Sequence, residues 1–138
     1  MKFIISRYNP ETDQAPYDQT FDLNNDLLSA DSMLLDALHL LREQDPSLSY
    51  RSSCQEGVCG SDGMNVNGKN RLSCITLLSD LGQTVTIKPL PGLPIIKDLI
   101  IDMELFYKQY KDVNPYLEAE PLNLEHEHLQ SPEDRSKL

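Results

Sequence analysis

Cys54, Cys59, Asp62 and Cys74 are the residues of this chain whose types and spacing suit chemistry. Four residues separate Cys54 from Cys59, two separate Cys59 from Asp62, and eleven separate Asp62 from Cys74. This is the C-x₄-C-x₂-C…C spacing that holds a [2Fe–2S] cluster, with Asp at the third position. Two bridged irons need four terminal anionic ligands. A tight loop can supply three, and a residue further along the chain closes the site. Thiolate is the usual donor, but a carboxylate is also anionic, and iron accepts oxygen. Such a centre carries a net charge of roughly −2, so burying it requires hydrogen-bond donors and positive charge nearby. Gly57, Gly60 and Gly63 let the backbone turn and aim amides at sulfur. Arg51, Lys69 and Arg71 flank the loop. Between residues 51 and 97 there are five basic and three acidic side chains, in a chain whose net charge is −10.

Other readings of the same residues stay open at this point. Three free cysteines can pack as small hydrophobes. Three Cys and one Asp can bind zinc, although four residues after the first Cys is unusual spacing for it. A redox thiol pair lacks its C-x-x-C. Asp62 alone can be a loop residue capping a turn, with the cysteines completed by water or by Ser61. Glu56 reads as an exposed loop acid and His39 as a surface histidine. His126 and His128, in the acidic tail, read as part of a solvated charge run. No P-loop, G-x-G-x-x-G or Ser/His/Asp arrangement is present.

The elements that must position these residues follow from periodicity. Residues 2–7 and 17–23 read as strands joined by the turn residues of 9–13, giving an N-terminal hairpin. A helix follows, with Asp31 or Ser32 as N-cap, Asp36 in its first turn, a core stripe of Leu34, Ala37, Leu38 and Leu41, and Pro46 as its stop. Residues 51–63 form a structured loop. Residues 63–67 make a very short strand running into an Asn67-Gly68 turn. Residues 72–78 are apolar and ambiguous, and 84–88 alternate as a strand. The prolines of 89–94 impose extended or turning backbone. Residues 95–110 read as an amphipathic helix with Leu99, Met103, Phe106 and Tyr110 at helical spacing. From Asp112 to Asp134 there are seven acids and no Lys or Arg, which suits a linker or tail without its own core. This order predicts an α+β fold, a mixed sheet packed on one main helix, with a C-terminal helix and an acidic tail. Residues 1–110 form the domain and 111–138 the linker.

Composition bounds the function. The chain has 138 residues, 39% of them apolar, and a mean hydropathy of −0.43. Twenty-two acids against twelve bases exclude a basic nucleic-acid surface. No apolar run approaches the ~18 residues that insert into a membrane as a span. The N-terminal apolar stretch is too short for a signal peptide, and it lacks the Arg- and Ser-rich character of a transit peptide. The chain is therefore expected to be soluble and, unless processed, cytosolic. An odd cysteine count without a secretory signal argues against a disulfide framework.

The motif Arg51-Ser52-Ser53-Cys54-x₄-Cys59-Gly60-Ser61-Asp62-Gly63-Met64-Asn65, with Asn67-Gly68-Lys69-Asn70 and Cys74-Ile75-Thr76, resembles the iron–sulfur subunit of succinate dehydrogenase of the bacterial type. So do residues 89–99, Phe106-Tyr107-x₂-Tyr110 and residues 127–133. The resemblance covers nearly the whole chain, and Asp in place of the third Cys is a variant of that family. It implies a ferredoxin-like β-grasp domain whose Cys54, Cys59, Asp62 and Cys74 hold a [2Fe–2S] cluster. It implies that the cluster accepts electrons from a flavoprotein (FAD) subunit that oxidises succinate to fumarate, and that they pass toward quinone. It further implies membrane-anchor partners reached through a second cluster domain, which would begin where this chain stops. The location it implies is cytoplasmic, peripheral on the inner face of the bacterial inner membrane. On this reading the chain belongs to an oxidoreductase complex but carries no substrate chemistry itself. Alternatives are the matching domain of a fumarate reductase, or a cluster-free docking or assembly fragment. A stand-alone ferredoxin leaves the matches outside the loop without a purpose.

Overall fold

The computed structural model of the chain describes residues 1–116 and 129–137. Strands β1 (Lys2–Arg7) and β2 (Tyr17–Asp22) form the expected antiparallel hairpin. The helix α1 (Leu34–Gln44) follows, then β3 (Gly63–Val66) and β4 (Lys69–Leu72), and then β5 (Thr84–Lys88). These five strands form one sheet in the order β2-β1-β5-β3-β4. The central β1–β5 pair is parallel and the other pairs are antiparallel. The sheet is therefore mixed and packs on one main helix, as the element order predicts, in the ferredoxin-like β-grasp arrangement that the resemblance implies.

The core follows from the two periodicities. Phe3, Ile5, Val85 and Ile87 alternate along the central strands and are fully buried. Leu34, Ala37, Leu38 and Leu41 form the buried stripe of α1 and join them in one cluster. Asn67 and Gly68 both have positive φ, 50° and 82°, as a two-residue hairpin turn between β3 and β4 requires. The ambiguous stretch after β4 resolves into two short 3₁₀ turns, Ser73–Ile75 and Leu78–Asp80.

Two expectations need correction. The N-cap of α1 is Met33 rather than Asp31 or Ser32. The Leu34 amide donates to the Thr76 carbonyl at 2.8 Å, and the Asp36 carboxylate accepts from the Met33 amide at 2.8 Å. Tertiary and first-turn acceptors thus take the role given to a capping side chain, while the Ser32 hydroxyl accepts from the Ser29 amide instead. The second correction concerns residues 95–110, which are not one helix. They hold a small ribbon, β6 (Ile95–Lys97) and β7 (Ile100–Ile101), and only then α2 (Glu104–Val113). Asp98 breaks the helical spacing with a left-handed φ of 47°. The β-branched pairs on either side favour extended backbone. Leu99 is buried in the core, whereas Phe106 and Tyr110 are about half exposed on α2. A short C-terminal helix, α3 (Pro132–Arg135), lies beyond. His126 and His128 fall outside the described residues.

Asp98 makes its turn because its carboxylate is the hub of a buried network. Oδ1 accepts from the Arg7 Nε at 3.0 Å and from the Tyr8 amide at 2.9 Å, and Oδ2 accepts from the Ser49 amide at 2.8 Å. Arg7 also reaches Asp45 at 2.9 Å, the Ser47 hydroxyl at 2.7 Å and Gln19. One guanidinium thus joins β1, the end of α1 and the turn between β6 and β7. Burial lowers the Arg7 pKa, but hydrogen bonds to Asp45 and Asp98 raise it further, so the net shift is upward. The Ser47 hydroxyl and then Arg7 hold the Asp45 carboxyl well below the usual carboxylate range.

Breaking a buried pair by removing one partner typically costs about 3–5 kcal/mol. Asp98→Asn is expected to lose about that much, read as a lower urea midpoint. Asp45 binds fewer protons folded than unfolded. Its contribution is present above the ordinary range near ~4 and is lost as pH falls below it. Urea midpoints taken from neutral to acid pH should fall steeply below about pH 4 in the native chain and less steeply in Asp45→Asn.

Candidate metal centre

The loop between α1 and β3 has the backbone that its glycines permit. Gly57 and Gly60 take left-handed φ values of 77° and 69°. The left-handed φ favours glycine at Gly57, and a Cβ there would also stand 3.0 Å from the exposed Ile75 side chain, which would have to shift. Gln55 adopts φ 62° as well, a strained choice for a residue with a side chain. Nothing in its sequence context announces it. Gly63 keeps negative φ and starts β3, where its amide donates to the Gly60 carbonyl at 3.2 Å.

The chain brings the four candidate ligands together as two directly bonded pairs. The Cys59 amide donates to the Cys54 sulfur at 3.3 Å. The Cys74 amide donates to Asp62 Oδ2 at 2.6 Å. The Gly57 backbone lies near enough to the Cys74 thiol to lower its pKa slightly, against the larger effect of burial. Their environments differ. Cys59 is exposed and Cys54 half-buried, whereas Cys74 is buried and Asp62 is only 3% exposed.

The carboxylate of Asp62 is unevenly satisfied. Oδ2 also accepts from the Ser73 hydroxyl at 2.9 Å, while Oδ1 is buried without a hydrogen-bond partner. Burial pushes the Asp62 pKa up, but bonds from Cys74 and Ser73 pull it further down, so this carboxyl favours its anion. A buried anionic oxygen left bare costs free energy that a cation at that oxygen would offset. Burial, followed by the neighbouring Asp62, raises the Cys74 pKa. The Cys59 pKa is lowered to about 6, first by the Ser61 hydroxyl 3.2 Å from its sulfur and then by Cys54 and backbone bonds. A thiol so placed is ready to ligate as thiolate.

Arg51 stands beside the loop, and its guanidinium donates to the Ile101 carbonyl at 2.7 Å. It lines a cavity of ≈ 380 Å³ with Cys59, Gly60, Ser61 and Tyr107. Its charge is thus close to the ligands, while its hydrogen bond ties the loop to β7. Lys69 is exposed and Arg71 half-buried on β4, and Glu56 is exposed. His39 is half-buried and stacks on Tyr50 with ring centres 6.0 Å apart, so it is less free than a surface histidine. The sequence alone assigns no role to Ser73, and it offers Ser61 only as a substitute ligand. Ser73 directly precedes Cys74 and Ser61 lies two residues after Cys59, and that closeness in sequence is the available signal. Among the described residues, no three His, Cys, Asp or Glu side chains converge on a point as they would around a single ion.

Residues 2–108 match the family described as "2Fe-2S iron-sulfur cluster binding domain". The chain belongs to this family. It aligns with the N-terminal, ferredoxin-like domain of succinate dehydrogenase iron–sulfur subunits. It is 56% identical over its full length to the "Succinate dehydrogenase iron-sulfur subunit" of Coxiella burnetii, of which it covers 58%. It is 44% identical to the mitochondrial "Succinate dehydrogenase [ubiquinone] iron-sulfur subunit" of Dictyostelium discoideum, of which it covers 50%. The chain therefore spans about half the length of these curated relatives. Among solved structures, a chain of the "Mycobacterium smegmatis Sdh1 complex in the apo form" superposes with a TM-score of 0.73 at 27% identity. The match covers 94% of this chain and 53% of that one. A hypothetical protein from Helicobacter pylori shares the fold, with a TM-score of 0.58 at 21% identity, over 86% of this chain and 22% of that one.

The differences in exposure and thiol acidity set an order of reactivity. In metal-free protein, iodoacetamide should modify Cys59 first and Cys74 last, read by peptide mass spectrometry over time. Iron and sulfide loading should protect all three thiols.

Proposed function

We propose that this chain is the electron-transfer domain of a succinate dehydrogenase iron–sulfur subunit, with Cys54, Cys59, Asp62 and Cys74 as the ligands of a [2Fe–2S] cluster. The observation that carries this reading is the pairing of Cys74 with Asp62, whose buried Oδ1 lacks a partner. The donor set fits the group: three thiols and one carboxylate give four anionic ligands. The cluster, when bound, takes up and gives up one electron. Everything else falls to the chain. The backbone amide of Cys59 stabilises negative charge on the sulfur of Cys54. Core packing keeps water from Cys74 and Asp62. The exposed Cys59 leaves one edge of the site open to an approaching partner.

The partner in this reading is a flavoprotein subunit whose FAD oxidises succinate, and electrons leave toward quinone through a further cluster domain and membrane-anchor subunits. The matches to succinate dehydrogenase subunits, which run the length of this chain and cover about half of theirs, support it. No helix among the described residues is long and apolar enough to cross a membrane. The proposed location is peripheral, on the cytoplasmic face of a bacterial inner membrane. Residues 1–110 act as the cluster domain and 111–138 as the linker.

Anaerobic reconstitution with ferrous iron and sulfide tests the site. The folded chain should gain a visible chromophore and, after dithionite, an S = 1/2 EPR signal, with two irons and two sulfides per chain. Alanine at Cys54, Cys59, Cys74 or Asp62 should lower cluster content at least ~10-fold, in line with the loss of a metal ligand or its support. Asp62→Cys should retain the cluster. A folded chain that binds one zinc and no two-iron cluster would refute the assignment.

A further inference from the structure

We propose that Ser73 is a positioning residue that makes Asp62 a single-oxygen ligand: with the Cys74 amide it occupies Oδ2 and leaves Oδ1 alone for iron. This rests on the reading of Asp62 as a ligand given above. Ser73 is 0% exposed, in a 3₁₀ turn that carries a candidate ligand as its next residue. A hydroxyl buried in that way needs a partner, and its partner is Asp62 Oδ2 at 2.9 Å. The Cys74 amide reaches the same oxygen at 2.6 Å, while Oδ1 is buried and has no partner. Two fixed donors therefore converge on one oxygen of a carboxylate that has room for about four, and none falls on the other.

Carboxylates bind metals through one oxygen or through both. With Oδ2 engaged by two donors, binding through both oxygens would require breaking buried hydrogen bonds. Ser73 thus selects the mode of ligation without touching iron itself. Its hydroxyl also draws negative charge toward Oδ2 and away from the oxygen that would face iron. A ligand that donates less charge favours the reduced centre, so Ser73 raises the reduction potential. A merely structural role, bracing the turn of residues 73–75, predicts no such dependence on the chemistry of residue 62.

The test is a double-mutant cycle on the reconstituted full chain, with Ser73→Ala made in the native and Asp62→Cys backgrounds. Iron and sulfide content and circular dichroism report loading and fold. Midpoint potentials come from dithionite titration followed by EPR. With Asp62 present, Ser73→Ala should lower the equilibrium constant for reduction about tenfold, which is about 59 mV for one electron. In the Asp62→Cys background the shift should differ in size, because a thiolate has a single donor atom and no second oxygen for Ser73 to hold. An equal shift in both backgrounds, or no shift in either, would overturn the proposal. A second measurement leaves Ser73 intact and holds even when Ser73→Ala does not fold. Carboxylate infrared bands of the loaded chain, assigned by ¹³C-aspartate labelling against Asp62→Cys, should show the wide splitting of single-oxygen ligation. A narrow splitting, as for binding through both oxygens, would overturn it. If the native chain loads no two-iron cluster, or Asp62→Ala leaves its EPR signal unchanged, the ligand reading itself fails, and that failure is visible before Ser73 is altered.

Discussion

The ion pair between Arg7 and Asp98 is the constraint on which the arrangement of this domain depends. The two residues are ninety-one positions apart, and both are nearly solvent-free. A guanidinium and a carboxylate taken out of water must find each other and also satisfy their remaining donors and lone pairs. Here they do so by recruiting Tyr8, Gln19, Asp45, Ser47 and Ser49. The stretch that enters the ligand loop is therefore pinned immediately before Tyr50, and the ribbon of β6 and β7 is pinned beside it. Arg51 then meets the carbonyl of Ile101 on that ribbon. The loop begins from a fixed point because of a pairing far outside it.

A second set of bonds fixes the opposite side of the site. The first turn of α1 and the segment after Cys74 are joined through Leu34 and Thr76 and through Leu78 and Ser32. The main helix thus does more than cover the sheet: its N-terminus holds the distant candidate ligand in place. Asp62 closes the arrangement from the loop side, since its main-chain carbonyl accepts from Ser73 while its side chain binds Ser73 and Cys74. Local loop chemistry and long-range helix docking meet at these two adjacent residues.

Much of this was legible from the sequence, and the reasons are specific. Period-two alternation at Phe3, Ile5, Val85 and Ile87 and the stripe on α1 report burial directly, so the sheet and main helix follow from them. The spacing of Cys54, Cys59, Asp62 and Cys74 reports a loop and a return segment. The stretch 95–110 misled because Leu99, Met103, Phe106 and Tyr110 keep helical spacing by coincidence across a turn. What breaks the pattern is a buried charge pair, and the sequence does not say which of its many aspartates will find Arg7. The role of Ser73 is hidden in the sequence for a related reason. Its importance lies in the oxygen it touches, which depends on where the helix docks. Met33 is a poor cap by type and serves because Thr76 supplies an acceptor from elsewhere in the fold.

The uneven exposure of the four candidate ligands has a mechanical consequence. Asp62 and Cys74 are clamped to each other within the core, whereas Cys54 and Cys59 ride on backbone jointed at Gly57 and Gly60. The set resembles a vice with one jaw set in the core and the other at the surface. For the proposed ligand set, a change in the dimensions of what it grips would meet less packing at Cys54 and Cys59 than at Asp62 and Cys74.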